Sequence, residues 1–325
     1  MQNLFLYIVC LLTGAGGALL IIRFGFKLNI VDIPNDRSSH TNVVPKGGGI
    51  GIVAGFIISA KALSFPAGFW IPAICLAIVS FSGDMREISA KIRLIIQFIC
   101  SIIFLTNLFY LRRVQPEVYL LIFPLAVFVV GTTNFYNFMD GIDGIAGITG
   151  VTGFGLLSVY AYVTGAEPEF VVFNTAIGLS CIGFLYFNFP KAKVFMGDVG
   201  SILLGFVFAG MVILLSDSFI DFICLGSFLF PFYADELTTM IVRIKAGEKL
   251  SAPHRRHLYQ LFANEYGFAH WKVSAGYGIG QLFVGATLLF AGNKGITVVL
   301  FLLLFYFGIF SAVSYCFRLA AGSRG

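Results

Sequence analysis

Charge is scarce in this chain of 325 residues: Asp, Glu, Lys and Arg make up 11%, against 58% hydrophobic residues and a mean hydropathy of +0.92. Soluble domains carry roughly 25% charge and 45–50% apolar residues, so a water-soluble globular fold is excluded. Other scarcities narrow the reading further. The six cysteines (Cys10, Cys75, Cys100, Cys181, Cys224 and Cys316) fall inside or beside apolar runs with no CxxC pair, which excludes a cysteine zinc cage and leaves them as packing residues. No Lys-Ser or Lys-Thr follows the glycines at 47–49, so no phosphate loop of the nucleotide-hydrolase kind is present. No positive charge precedes the first apolar run, Leu4 to Ile22, and no small-residue cleavage site follows it. That run is expected to stay as a spanning helix rather than be removed as a signal peptide. Linkers and low-complexity stretches are also missing, and residues 1–325 are expected to form a single integral membrane domain.

What the chain has instead is a series of apolar runs of the roughly 17–25 residues that cross a bilayer. Eleven are centred near residues 13, 56, 74, 101, 127, 155, 179, 208, 228, 282 and 305. The expectation is an all-α polytopic membrane protein with about eleven transmembrane helices. Lys and Arg set its orientation. With the N-terminus outside and the C-terminus inside, seventeen of the 21 basic residues fall on the cytoplasmic side, leaving Lys61, Arg112, Arg113 and Lys294 outside. The net charge of +5 is then a topology signal, and no nucleic-acid partner is needed to explain it.

The same topology sorts the polar motifs. The outer connections are short and plain, whereas the inner ones read VDIPNDRSSHTNVVPKGGG, SGDMREISAKIR, NFYNFMDGIDG, NFPKAKVFMGDVGS and ADELTTMIVRIKAGEKLSAPHRRHLYQ. Asp84, Asp140, Asp198 and His254 follow one another at intervals of 56, 58 and 56 residues, the distance of one helix out and one helix back. Five loops are therefore expected to converge on one membrane face.

Each motif has a chemical and a plainer reading. In NFYNFMDGIDG, Asn137, Asp140 and Asp143 stand three residues apart and on a helix would share a face. Carboxylates at a membrane boundary cost solvation unless they meet water, a cation or a donor. A polar pocket for metal and substrate is favoured over a solvated helix end. In FMGDVGS, Asp198 lies between glycines just before a span, where free amides attract phosphate. It is suited to Mg²⁺, which takes one or two carboxylates with phosphate oxygens and water; the alternative is a helix cap. The first loop offers Asp32, Asp36, Arg37, His40 and Lys46 ahead of three glycines. HRRH at 254–257 suits a pyrophosphate better than zinc. Leu258, Leu261, Phe262 and Tyr266 beside it have the spacing of a short amphipathic helix on the inner surface.

In family order, DIPNDRSSHTNVVPKGGG, NFYNFMDGIDG, NFPKAKVFMGDVGS and PHRRHLYQ resemble the polyprenyl-phosphate N-acetylhexosamine-1-phosphate transferases. This is glycosyltransferase family 4, which includes the phospho-MurNAc-pentapeptide translocase. The resemblance covers nearly the whole chain, and HRRHLYQ is most similar to members that initiate O-antigen or other surface polysaccharides. It implies an eleven-helix enzyme of a bacterial inner membrane that moves a sugar 1-phosphate from a UDP-N-acetylhexosamine to undecaprenyl or another polyprenyl phosphate, releasing UMP. It further implies Mg²⁺, with Mn²⁺ as a substitute, held by Asn137 and Asp198. Asp84, Asp140 and Asp198 are implied as the catalytic acids. Lys46, Asn134, Asn137, Asp143 (near uridine), Asn188, His254, Arg255, Arg256 and His257 are implied to bind substrate. The bilayer and, as an option, a second copy in a homodimer complete the partners. One departure stands out: where the family carries adjacent aspartates this chain has Gly83 before Asp84. Two rival readings follow, a transporter and a non-catalytic relative supported by Gly83 alone.

Overall fold

The computed structural model describes residues 2–34, 38–85, 88–249 and 254–322; Asp36 and Arg37 of the first loop lie outside them. The molecule is an all-α polytopic membrane protein. Each of the eleven apolar runs is helical, and nine helices among the described residues are long and apolar enough to cross a membrane. In chain order the elements are α1 (Gln2–Phe24), a two-residue antiparallel pair β1 (Val31–Asp32) and β2 (Val44–Pro45), α2 (Ile50–Ala62), α3 (Ala67–Met85) and α4 (Ala90–Arg112). They continue with α5 (Ile122–Phe138), α6 (Ile145–Thr164), α7 (Pro168–Asn188), α8 (Asp198–Leu215), α9 (Phe219–Gly226), α10 (Phe230–Lys245), α11 (Leu258–Gln260), α12 (His270–Ala291) and α13 (Ile296–Gly322).

Two of the eleven runs differ from a plain span. The run near 56 is a helix of 13 residues, because the glycines before it are drawn into the site described below. The run near 228 is split: α9 passes through a 3₁₀ turn at Ser227–Leu229 into α10, with Pro231 in the first turn of the second half. Proline has no N–H to give to the preceding turn, so the ladder breaks there.

The centre of the bundle is α8. Every residue from Val199 to Leu215 is buried, as expected of a helix that is apolar on all sides, and α2, α3, α5, α6 and α9 pack around it. Outside this core α1 packs on α7 and α2. The helix α13 is largely uncovered along its length. Burying α8 fixes its N-terminus, and Asp198 with it, against the C-terminal ends of α3 and α5 and the first loop.

Candidate active site

The glycines of the first loop and those of the 195–200 segment are built around each other. Phe195 N donates to Pro45 O at 2.8 Å, Gly48 N to Phe195 O at 2.9 Å and Gly49 N to Met196 O at 2.9 Å. Gly197 has φ +74°, and a side chain there would meet the Gly47 backbone and the Asp84 carboxylate below 3 Å. Only glycine permits that approach and that conformation. The consequence is that Lys46, Asp84 and Asp198, from three distant parts of the chain, share one place.

Asp84, almost wholly buried at the end of α3, accepts from the backbone N–H of Asp198 and of Val199, both at 3.4 Å, with Lys46 Nζ 3.9 Å away. It therefore sits over the N-terminus of α8, where a carboxylate is favoured by unpaired amides and the helix dipole. Asp198 receives Arg93 Nη1 from α4 at 2.6 Å on one oxygen and Asn137 Nδ2 from α5 at 3.0 Å on the other. Asn137 also donates to Ser201 Oγ at 2.9 Å.

Asp140 is not on a helix, in contrast to the spacing argument: α5 ends at Phe138, and residues 139–144 form a turn closed by Gly144 at φ +84°. No hydrogen bond to its carboxylate occurs among the described residues. Burial, with the charges of Asp198 and Asp84 adding to it, pushes the Asp140 carboxyl up to about 7.

Lys46, Asp84, Asn137, Asp140 and Asp198 line a cavity of about 270 Å³. Of the residues singled out in the sequence, Asp32, His40, Lys46, Asp84, Asn137, Asp140, Asn188 and Asp198 border it. Asn188 does so with both ends of its amide engaged, accepting from Gly144 N at 2.8 Å and donating to Val194 O at 2.9 Å. The other described ones lie apart from it. Asn134 forms a reciprocal amide pair with Gln97 of α4 (2.7 and 3.4 Å). Asp143 pairs with His270 Nδ1 at 3.3 Å. Arg256 pairs with Glu248 at 2.7 Å. His257 is buried between Asp235 and Glu236, at 3.8 and 3.4 Å. His254 and Arg255 are half-buried outside the cavity lining. Burial, together with the charges of His257 and Arg243, pushes the His254 imidazole down to about 4, so it is neutral near pH 7.

Two residues that the sequence reading missed belong to the site. Arg93 shares the first turn of α4 with Lys91, and no local pattern in the sequence marks it. Gln260 reaches the cavity from α11. Helical spacing had assigned that segment to the membrane surface, yet Leu258 and Tyr259 are buried and Phe262 packs on Phe317 of α13 at 4.8 Å.

Among the described residues no group of three or more His, Cys, Asp or Glu forms a metal site; Mg²⁺ needs only one or two carboxylates beside phosphate oxygens and water, and Asp198 and Asp140 at this cavity are the carboxylates that would meet that need. The sequence model of glycosyl transferase family 4 matches residues 66–216, which hold Asp84, Arg93, Asn137, Asp140 and Asp198. Over that stretch, just under half of its length, the chain is similar to glycosyl transferase family 4. A Bacillus subtilis protein named a probable undecaprenyl-phosphate N-acetylglucosaminyl 1-phosphate transferase is 29% identical over 95% of this chain and 91% of its own. A Thermotoga maritima undecaprenyl-phosphate alpha-N-acetylglucosaminyl 1-phosphate transferase is 26% identical over 77% of each. A phospho-N-acetylmuramoyl-pentapeptide-transferase of Vesicomyosocius okutanii is 28% identical over 57% of this chain and 63% of its own. The family-4 model ends before α10, so the Asp235 and HRRH region rests on the longer relatives.

Proposed function

We propose that the chain transfers N-acetylhexosamine 1-phosphate from a UDP-sugar to a polyprenyl phosphate at the cytoplasmic face of a bacterial inner membrane. The observation that carries this reading is the meeting of Lys46, Asn137 and the carboxylates of Asp32, Asp84, Asp140 and Asp198 around one small cavity, with Arg93 bound to Asp198 beside it. At about 270 Å³ the cavity is smaller than the ~300–1,000 Å³ of whole-ligand sites. It suits the diphosphate with its cation, the nucleoside and the isoprenoid lying outside it.

In the reaction a lipid phosphate oxygen attacks the sugar-linked phosphorus, the bond from that phosphorus to the UMP oxygen breaks, and UMP leaves. The acceptor is a phosphate monoester, largely ionised near pH 7 because its second pKa is about 6, so no base is needed to free the nucleophile. That removes the objection raised by Gly83. Lys46 and Arg93 offset the charge of the diphosphate, with Arg93 exchanging Asp198 for a phosphate oxygen. Asp84 holds the start of α8 in place. Asp198 and Asn137, with Asp140 at hand, would hold Mg²⁺, which would supply polarisation of the diphosphate.

The names of the longer relatives make UDP-GlcNAc the first donor to try, and the HRRHLYQ motif favours surface-polysaccharide initiation over peptidoglycan. The transporter reading is weakened by position. Transport sites lie near the midplane on broken helices, whereas these acids stand at helix ends. The test is purified protein with undecaprenyl phosphate, Mg²⁺ and a panel of UDP-N-acetylsugars. Sugar-specific UMP release that EDTA abolishes is expected, and silence across the panel overturns the reading.

A further inference from the structure

Among the described residues, the carboxylate that accepts the most hydrogen bonds is outside the cavity. Asp235 of α10 is completely buried and accepts four hydrogen bonds: from Leu258 N at 2.7 Å, Tyr259 N at 3.2 Å, Tyr277 Oη at 2.6 Å and Thr239 Oγ1 at 3.2 Å. A carboxylate offers about four lone-pair sites, so every one is in use. Two of the donors are the first amides of α11, which have no backbone acceptor. Asp235 supplies it.

What those amides hold in place reaches the site on two sides. Gln260, one residue on, borders the cavity, and its side chain accepts from His257 N at 3.3 Å, closing the turn. Tyr259 donates to Phe138 O at 3.2 Å, and its hydroxyl occupies the space a side chain on Gly141 would need. It thereby presses on the turn that carries Asp140. His257 is stacked on Tyr259 with ring centres 5.6 Å apart.

We propose that Asp235 is a positioning residue for the site: by binding the α11 amides it sets Gln260 at the cavity wall and, through Tyr259, the turn that presents Asp140. It touches neither donor nor acceptor, and the part of the test that reads turnover rests on the transfer reading above. Asparagine cannot replace it, because one of its ends is a donor facing donors. Glutamate keeps the acceptor character at a displaced position.

Hydrogen exchange resolved to single amides tests the first link in the unaltered protein. Leu258 and Tyr259 N–H should exchange at least about 100-fold more slowly than unstructured amides; exchange at the unstructured rate overturns the proposal. In Asp235→Asn those two amides should exchange at least about tenfold faster. The kcat for UMP release should fall about 100-fold while KM for the UDP-sugar changes less than about threefold, since alignment rather than binding is lost. Asp235→Glu should recover part of both. An Asp235→Asn protein with unchanged amide exchange and unchanged kcat overturns it as well. Should the unaltered protein turn over no UDP-sugar, the transfer reading fails, and the exchange results still decide the role of Asp235.

Discussion

Asp198 is where the chemistry and the fold meet, since its carboxylate is exposed enough to take a ligand and is held by Arg93 and Asn137. Asp198→Ala should abolish Mg²⁺-dependent turnover in a protein that still elutes as a folded species in detergent. Arg93→Ala should lower kcat by about 10²–10³-fold, the usual loss of one charge-stabilising donor, with Arg93→Lys recovering part of it. Asp140 gives a pH signature. Its carboxyl, raised to about 7 in the fold, keeps its proton after the unfolded chain has released one near 4. The folded state therefore binds more protons between those values, and stability falls as pH rises through them. In EDTA the Tm should drop from pH 5 to pH 7.5, Asp140→Asn should flatten that slope, and Mg²⁺ should restore stability at the upper end. Gly83 is the contrasting residue: among the described residues a side chain there would meet only Ile88 Cδ1 at 4.0 Å. Gly83→Asp should change stability by no more than about 0.5 kcal/mol and leave turnover at a similar level, as thermal melts and UMP assays can check.

Among the elements, α8 and the glycine turns on either side of the site depend on each other. Gly197→Ala must place a side chain at φ +74° against Gly47 and Asp84. A loss of about 1–3 kcal/mol from the backbone conformation alone is expected, with activity lost as Asp84 is pushed from the α8 amides. A melt unchanged from the parent protein would contradict this packing. The helices themselves were legible, because runs of twenty apolar residues have few other solutions. The break at Ser227–Leu229 was not read, although Pro231 could have signalled it. The spacing of Asn137, Asp140 and Asp143 would give one face only on a continuous helix, and the glycines at 141 and 144, which left the end of that helix open, lie in the turn that follows α5 at Phe138. As a result, Asp143 turned out to face His270 and not the cavity. The segment 258–265 has helical spacing that does not reveal whether lipid or protein covers it; α12 and α13 cover it here. Arg93 and Asp235 were invisible for a related reason. Each acts through a partner more than 20 residues away in sequence, and a single charged residue in a loop or helix carries no local pattern.

At the scale of the whole molecule, a bundle that buries one helix completely brings the loops of distant segments to the ends of that helix. Lys46, Asp84, Asn137, Asp140 and Asp198 come from four such segments, and the regular spacing in the sequence already pointed to their convergence. The basic residues of HRRH do not reach the cavity directly; their loop contributes through Gln260 and Tyr259. The central claim is that the phosphate linked to the sugar travels with it. UDP-GlcNAc labelled with ³²P on that phosphate, incubated with the purified protein, undecaprenyl phosphate and Mg²⁺, measures this directly. The account predicts label in the lipid phase, removable with the sugar as a diphosphate-linked product, together with equimolar unlabelled UMP. Release of labelled UDP with an unlabelled glycolipid would contradict it.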